Sequence, residues 1–240
     1  MLVLAMPHAA AWAAHPMLSE DPGTQGTGHA QLELGLAAVQ GDTSFNGRGL
    51  LFSPQVSYGP GATVDLIVQG LWQSQSPAGA PTVRGIGNSL VDIKWRFFES
   101  DGTFALAVRA GVDLNTGDDS TGMGGGRPGA HVLAVAGWRY PDFSVYANVG
   151  YARIGQSGTR PGIGFFSVAI ATPESAPLRT FIEAATFSNS DPANAQWPAI
   201  ARPGFIYAVD TTLDLDVGVQ TRLNSSAMRV SWLAGATLRW

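Results

Sequence analysis

The last thirteen residues, Met228 to Trp240, constrain this chain more than any other stretch. They read Met-Arg-Val-Ser-Trp-Leu-Ala-Gly-Ala-Thr-Leu-Arg-Trp. Side chains of an extended strand alternate between faces. Met228, Val230, Trp232, Ala234, Ala236, Leu238 and Trp240 therefore share one face, and Arg229, Ser231, Leu233, Gly235, Thr237 and Arg239 the other. A soluble domain has little reason to place a terminal Trp on an apolar strand face. A bilayer supplies the reason, because a membrane-spanning barrel is apolar outside and carries aromatic girdles at both interfaces.

The rest of the chain repeats this pattern. Val91-Asp92-Ile93-Lys94-Trp95-Arg96-Phe97 alternates most clearly, and Thr212 to Asn224 sets Asp214, Asp216, Gln220 and Arg222 against Leu213, Leu215, Val217 and Val219. Nine further segments, starting at Gln31, bring the expected count with the terminal strand to about twelve, and bacterial barrels have even numbers. The connections alternate in length. Gly59 to Gly61, Ser100 to Gly102, Tyr140 to Asp142, Pro173 to Pro177 and Asp210-Thr211 are short. Gln40 to Arg48, Gln73 to Gly85, Asn115 to Pro128, Gly155 to Pro161 and Ser188 to Pro198 are long and polar or Gly-rich. Short periplasmic turns opposite long external loops give this alternation. The predicted fold class is all-β: a transmembrane, antiparallel, up-and-down barrel in a bacterial outer membrane, its terminal strand resembling the C-terminal signature of such barrels.

Composition agrees. Charged residues are only 13 % of the chain, while the apolar fraction is an ordinary 45 %. Strands that need only every second residue apolar reconcile the two figures, whereas spanning helices do not. The formal charge of −4 leaves no basic footprint for nucleic acid, and the absence of cysteine rules out disulfide and thiolate chemistry. Residues 1–13 are apolar and Ala-rich and close on the small-x-small pattern Ala11-Trp12-Ala13, which predicts a truncated signal peptide without its positive n-region. Residues 14–29 are then a periplasmic N-terminal segment and residues 30–240 the barrel. The expected partners are outer-membrane lipid, the barrel-assembly machinery acting through the strand that ends in Trp240, and a small-molecule permeant.

Strand phase assigns the charges to the interior. The expected lumen-lining residues are Glu33, Asp65, Asp92, Lys94, Arg96, Arg109, Asp113, Arg179, Glu183, Asp214, Asp216, Arg222 and Arg229. Laddered opposite charges are expected between Asp92–Lys94–Arg96 and Arg109–Asp113, between Arg179 and Glu183, and between Asp214–Asp216–Arg222 and Arg229. Such ladders either select permeants or fill a packed interior, and twelve strands lie between packed and water-filled sizes. Loop 115–128 and segment 21–28 are the candidates for closing the lumen. Trp72, Trp95, Phe97, Trp138, Phe143, Tyr151, Trp232 and Trp240 are expected in the girdles.

Signals for catalysis are weak. His131, read as a rim histidine, could pair with a serine only as a bare dyad, because no motif surrounds it. Asp118-Asp119 reads as a solvated loop rather than a cation site, and Gly122 to Pro128 lacks the Lys-Ser/Thr and following helix of a phosphate cradle. No metal and no cofactor are expected.

Several blocks, in order, carry a resemblance: His15 to Gly28 followed by Gln31-Leu32-Glu33, then Gly85 to Phe97, Leu114 to Asp118, Phe181 to Ala184, and Leu213 to Gly218. Together they resemble the outer-membrane family called putative meta-pathway of phenol degradation. Asn115 stands where that family is expected to have proline, and Asn88 where it is expected to have aspartate. The resemblance implies a non-enzymatic outer-membrane channel or transporter for small organic compounds, aromatic ones included. The alternative is a closed structural barrel whose loops bind partners.

Overall fold

The computed structural model describes residues 16–42, 46–118, 121, 123–124, 127–154, 158–173 and 175–240. The expected leader over residues 1–13 lies outside them, as do His8, His15 and Asp119.

One antiparallel sheet closes on itself. Its strands are β1 (Ala30–Asp42), β2 (Asn46–Gly61), β3 (Val64–Gln69), β4 (Trp72–Pro77), β5 (Val83–Ile86), β6 (Ser89–Ser100) and β7 (Phe104–Leu114). They continue as β8 (Gly129–Arg139), β9 (Ser144–Arg153), β10 (Gly162–Ala171), β11 (Leu178–Phe187), β12 (Ala199–Ala208), β13 (Leu213–Arg222) and β14 (Val230–Arg239). β3 and β4 are one stave interrupted at Gly70-Leu71, and β5 and β6 one stave interrupted at Gly87-Asn88. Both pieces of each keep pairing with the same neighbour, and Gly70 and Gly87 N–H bond across the breaks to Pro54 and Leu71 carbonyls at 2.8–2.9 Å. The barrel thus has twelve staves.

The seam joins the chain's two ends. Leu32 lies opposite Leu238, and Ala30 and Trp240 exchange backbone hydrogen bonds of 2.9 and 3.0 Å. β1 thus pairs with both β2 and β14, so the sheet closes and neighbouring strands satisfy one another's backbone groups, as hydrocarbon requires.

Exposure follows the alternation. Leu34, Leu66, Ile93, Val149, Val217 and Trp232 are exposed while their strand neighbours Glu33, Asp65, Asp92, Asn148, Asp216 and Ser231 are buried. The lipid-facing assignment predicts a cost. Val149 sits mid-strand, 58 % exposed, between Ala134 and Phe166. Val149→Arg is expected to destabilise the barrel by about 2–4 kcal/mol in urea unfolding from lipid vesicles. A change below about 1 kcal/mol would place this face outside the hydrocarbon.

Two sequence readings shift. The Gly59-Pro60-Gly61 turn lies instead at Ala62-Thr63, because β2 continues through Gly61. The interior is also less uniformly polar than the phase argument expects. Leu133, Val135, Ile163, Phe165 and Ile200 point inward and are buried. β8, β10 and β12 are apolar on both faces at these positions, so phase alone could not assign them.

Candidate functional site

The barrel's interior is occupied. The last residues of the N-terminal segment lie at the short-turn end of the barrel. Gly28 N–H donates to the Gly59 carbonyl (2.8 Å), and Gly59 N–H to the His29 carbonyl (2.9 Å). Thr24 Oγ1 donates to the Ala62 carbonyl at the β2–β3 turn (2.9 Å). From Gln25 toward Pro16 the chain climbs into the lumen, where Pro16, Leu18, Ser19, Glu20 and Pro22 are buried.

This segment has no secondary structure, so its buried backbone groups need partners from the wall. Asn148 supplies two: its Oδ1 accepts from Glu20 N–H (2.6 Å) and its Nδ2 donates to the Glu20 carbonyl (2.9 Å). The Glu183 carboxylate accepts from Leu18 N–H (2.8 Å) and Ser19 N–H. Arg202 Nη1 donates to the Pro16 carbonyl (2.8 Å), and Ser19 Oγ to Ser167 Oγ (2.8 Å). Two glycines make room for the thread. A Cβ on Gly59 would come within 2.0 Å of the Gly26 carbonyl oxygen, and one on Gly137 within 2.7 Å of the Pro22 ring.

Charge fixes the segment at mid-height. The Glu20 carboxylate meets Lys94 Nζ at 2.8 Å and Arg109 Nη1 at 2.7 Å. Arg109 also reaches Asp92 Oδ2 through Nε (2.7 Å) and Gln55 Oε1 through Nη2 (3.2 Å). His131 Nε2 lies 3.0 Å from Asp92 Oδ1, and its Nδ1 lies 3.7 Å from Asp113 Oδ1. His131, read as a rim residue, is thus buried between two carboxylates. A continuous line of charge runs Asp113–His131–Asp92–Arg109–Glu20–Lys94.

Above Glu20, Leu18 packs into the apolar layer formed by Leu90, Leu133, Val135, Phe165 and Ile200. Higher still, Met123 of the long loop is buried, its carbonyl accepting from Gln73 Nε2 (3.5 Å). Below Glu20 lies a vestibule of about 630 Å³, lined by Asp21, Gln25, Gln31, Ser57, Thr180 and Thr237 among others. Its cations share acids. Arg179 and Arg239 (2.8 Å) both bind Asp214, and Arg96 (3.1 Å) and Arg139 (3.3 Å) both bind Glu99. At the vestibule rim, Thr212 N–H, then its hydroxyl and Leu213 N–H, hold the Asp210 carboxyl below its usual range, at 2.7, 2.8 and 2.9 Å.

The expected ladders are only partly the observed ones. Asp92 meets Arg109 across β6–β7. Arg179 does not pair with Glu183 but reaches over β12 to Asp214, which leaves Glu183 for the N-terminal segment and Arg202 (3.9 Å). Glu33 accepts from Gln55 Nε2, and Asp65 Oδ1 from Gln25 N–H (2.9 Å). Asp216 is buried on the inner face of β13, and Arg222 is half-buried at that strand's outer end. Arg229, expected to line the lumen, is instead exposed before β14, because strand pairing begins only at Val230. Alternation alone does not mark Glu20, Asn148, Arg202 and Gln55 as contacts of an inner segment. For Glu20 the signal was present: an acid amid prolines in a segment with no strand of its own to solvate it.

Comparison with known proteins agrees with this architecture. The family model described as "Putative MetA-pathway of phenol degradation" matches residues 13–240. Among solved structures, an outer membrane channel from Pseudomonas putida F1 superposes with a TM-score of 0.76 at 10 % identity, over 92 % of this chain and 98 % of that one. The NanC porin superposes with a TM-score of 0.62 at 7 % identity, over 86 % and 98 %. The CymD monoaromatic hydrocarbon channel does so with 0.52 at 8 % identity, over 89 % and 88 %. No curated protein matches the chain in sequence.

Proposed function

The chain belongs to the family described as "Putative MetA-pathway of phenol degradation", and on that premise we propose that it is an outer-membrane channel for small organic compounds that carries out no catalysis. The observation that carries this reading is the vestibule: a closed barrel encloses about 630 Å³ beneath the N-terminal segment. That volume falls within the roughly 300–1,000 Å³ typical of small-molecule sites. The wall residues Arg96, Arg179, Glu33, Asp65 and Asp214 line the periplasmic half of the path; Lys94, Arg109 and Glu183 hold the segment that narrows it, and Asp92 braces Arg109. The vestibule's polar lining favours permeants with hydrogen-bonding groups, and the likeness to the CymD channel supports aromatic ones.

The segment seated on Asn148, Glu183 and Arg202 favours a second reading, a barrel closed for good. Liposome swelling separates the two. Proteoliposomes exposed to hydroxylated or carboxylated monoaromatics are expected to swell faster than protein-free vesicles. Equal rates for every solute, with no conductance in planar bilayers, would establish the closed barrel.

A further inference from the structure

Charges on the outer face of the barrel wall, among the described strand side chains, are few and of one sign. Among the described strand side chains, the outward-facing ionic groups are Arg48, Arg84 and Arg153, each near the long-loop end of its strand. The lumen and vestibule arginines 96, 109, 139, 179 and 239 all pair with carboxylates. Among the described residues these three make no ion pair.

Register brings two of them together. Phe52, Trp72 and Ile86 stand side by side across β2, β4 and β5 as an apolar row, with Ile86 60 % exposed. The next row outward is Leu50, Ser74 and Arg84, and above it Arg48 lies opposite Ser76. Ser76 Oγ meets Thr82 Oγ1 at 2.9 Å. Two strand spacings put Arg84 about 10 Å across the sheet from β2, and Arg48 stands about 7 Å higher. Within two rows the wall passes from lipid-facing aromatics to two guanidinium groups that have no ion pair among the described residues, with hydroxyls between them. Guanidinium forks and hydroxyl donors match phosphate oxygens. Because the patch sits on the lipid face directly above an apolar row, the anion that meets it is attached to a lipid.

We propose that Arg48 and Arg84, with Ser74, Ser76 and Thr82, dock the phosphorylated headgroup of an outer-leaflet lipid. Arg153, one row above exposed Tyr151 on β9, shows the same sign and level elsewhere on the wall. The proposal rests on the outer-membrane placement with long loops outward, and is independent of what crosses the lumen.

Native mass spectrometry of the full chain in zwitterionic detergent, titrated with diphosphorylated lipid A, tests it. R48Q/R84Q is expected to weaken lipid binding by about tenfold, from the loss of two surface cations near an anionic headgroup. R48K/R84K, which keeps the charge, is expected to fall between R48Q/R84Q and the unchanged protein. Dephosphorylated lipid A should bind the unchanged protein as weakly as the phosphorylated form binds R48Q/R84Q. Inorganic phosphate at the same concentration should not compete. Retained mobility shift between unboiled and boiled samples verifies that each variant folds. Equal affinity of R48Q/R84Q and the unchanged protein overturns the site. So does an equal loss in Arg153→Gln, which would reveal diffuse charge instead, or full competition by free phosphate.

Discussion

Deleting residues 16–23 is expected to raise the single-channel conductance several-fold in planar bilayers. These residues cross the lumen at its middle, with Glu20 clamped by Asn148, Lys94 and Arg109, and Leu18 filling the apolar layer. The twelve staves do not depend on them, since every strand pairs with its neighbours. Water entering the emptied lumen would solvate Lys94, Arg109 and Glu183, so the barrel is expected to remain folded and to keep its shift on boiling. Unchanged conductance would move the constriction to the loop that buries Met123. A staple tests the same point from the other side. Ser19 Oγ and Ser167 Oγ are 2.8 Å apart, and the chain has no cysteine to interfere. Oxidised S19C/S167C should show fewer and shorter openings, and reduction should restore them.

Arg109→Ala is expected to cost about 3–5 kcal/mol, the usual effect of removing one partner from a buried ionic network. Arg109 is 1 % exposed and binds three side chains from three places: Asp92 on the neighbouring strand, Gln55 on β2 and Glu20 of the inner segment. Its loss leaves two carboxylates with less compensation in a space where water is scarce. For a chain of this size that corresponds to a fall of about 10 °C in the thermal midpoint. The variant should also conduct more, since the Glu20 carboxylate then keeps Lys94 alone of its two cations. Adding Glu20→Gln to Arg109→Ala should recover part of the stability, as coupled partners are not additive. A loss under about 1 kcal/mol with unchanged conductance would show that Arg109 only fills space.

The wall was legible because its code is local. Alternation at Asp92 to Phe97 or Leu213 to Arg222 needs only adjacent residues and one bilayer. The interior was not, for two physical reasons. Where both faces are apolar, as at Leu133 and Phe165, phase carries no information. The segment that fills the lumen finds its partners far along the chain, 128 residues away at Asn148 and 186 at Arg202. Gly59-Pro60-Gly61 shows the cost of reading locally. Its first glycine serves close passage of Gly26, a neighbour that no hairpin rule can supply. Lys94 likewise pairs with Glu20, off the sheet altogether, and not with an adjacent strand.

The seam between Ala30 and Trp240 also orders events in time. The thread through the lumen leads directly into β1, while its anchors Asn148, Ser167, Glu183 and Arg202 stand on β9 to β12 across the enclosure. Those strands are made long after the thread, and their lining becomes an enclosure only when β14 meets β1. The thread must therefore wait for the last strand of the chain to give it a place. Protection of the thread from protease would report the moment of closure.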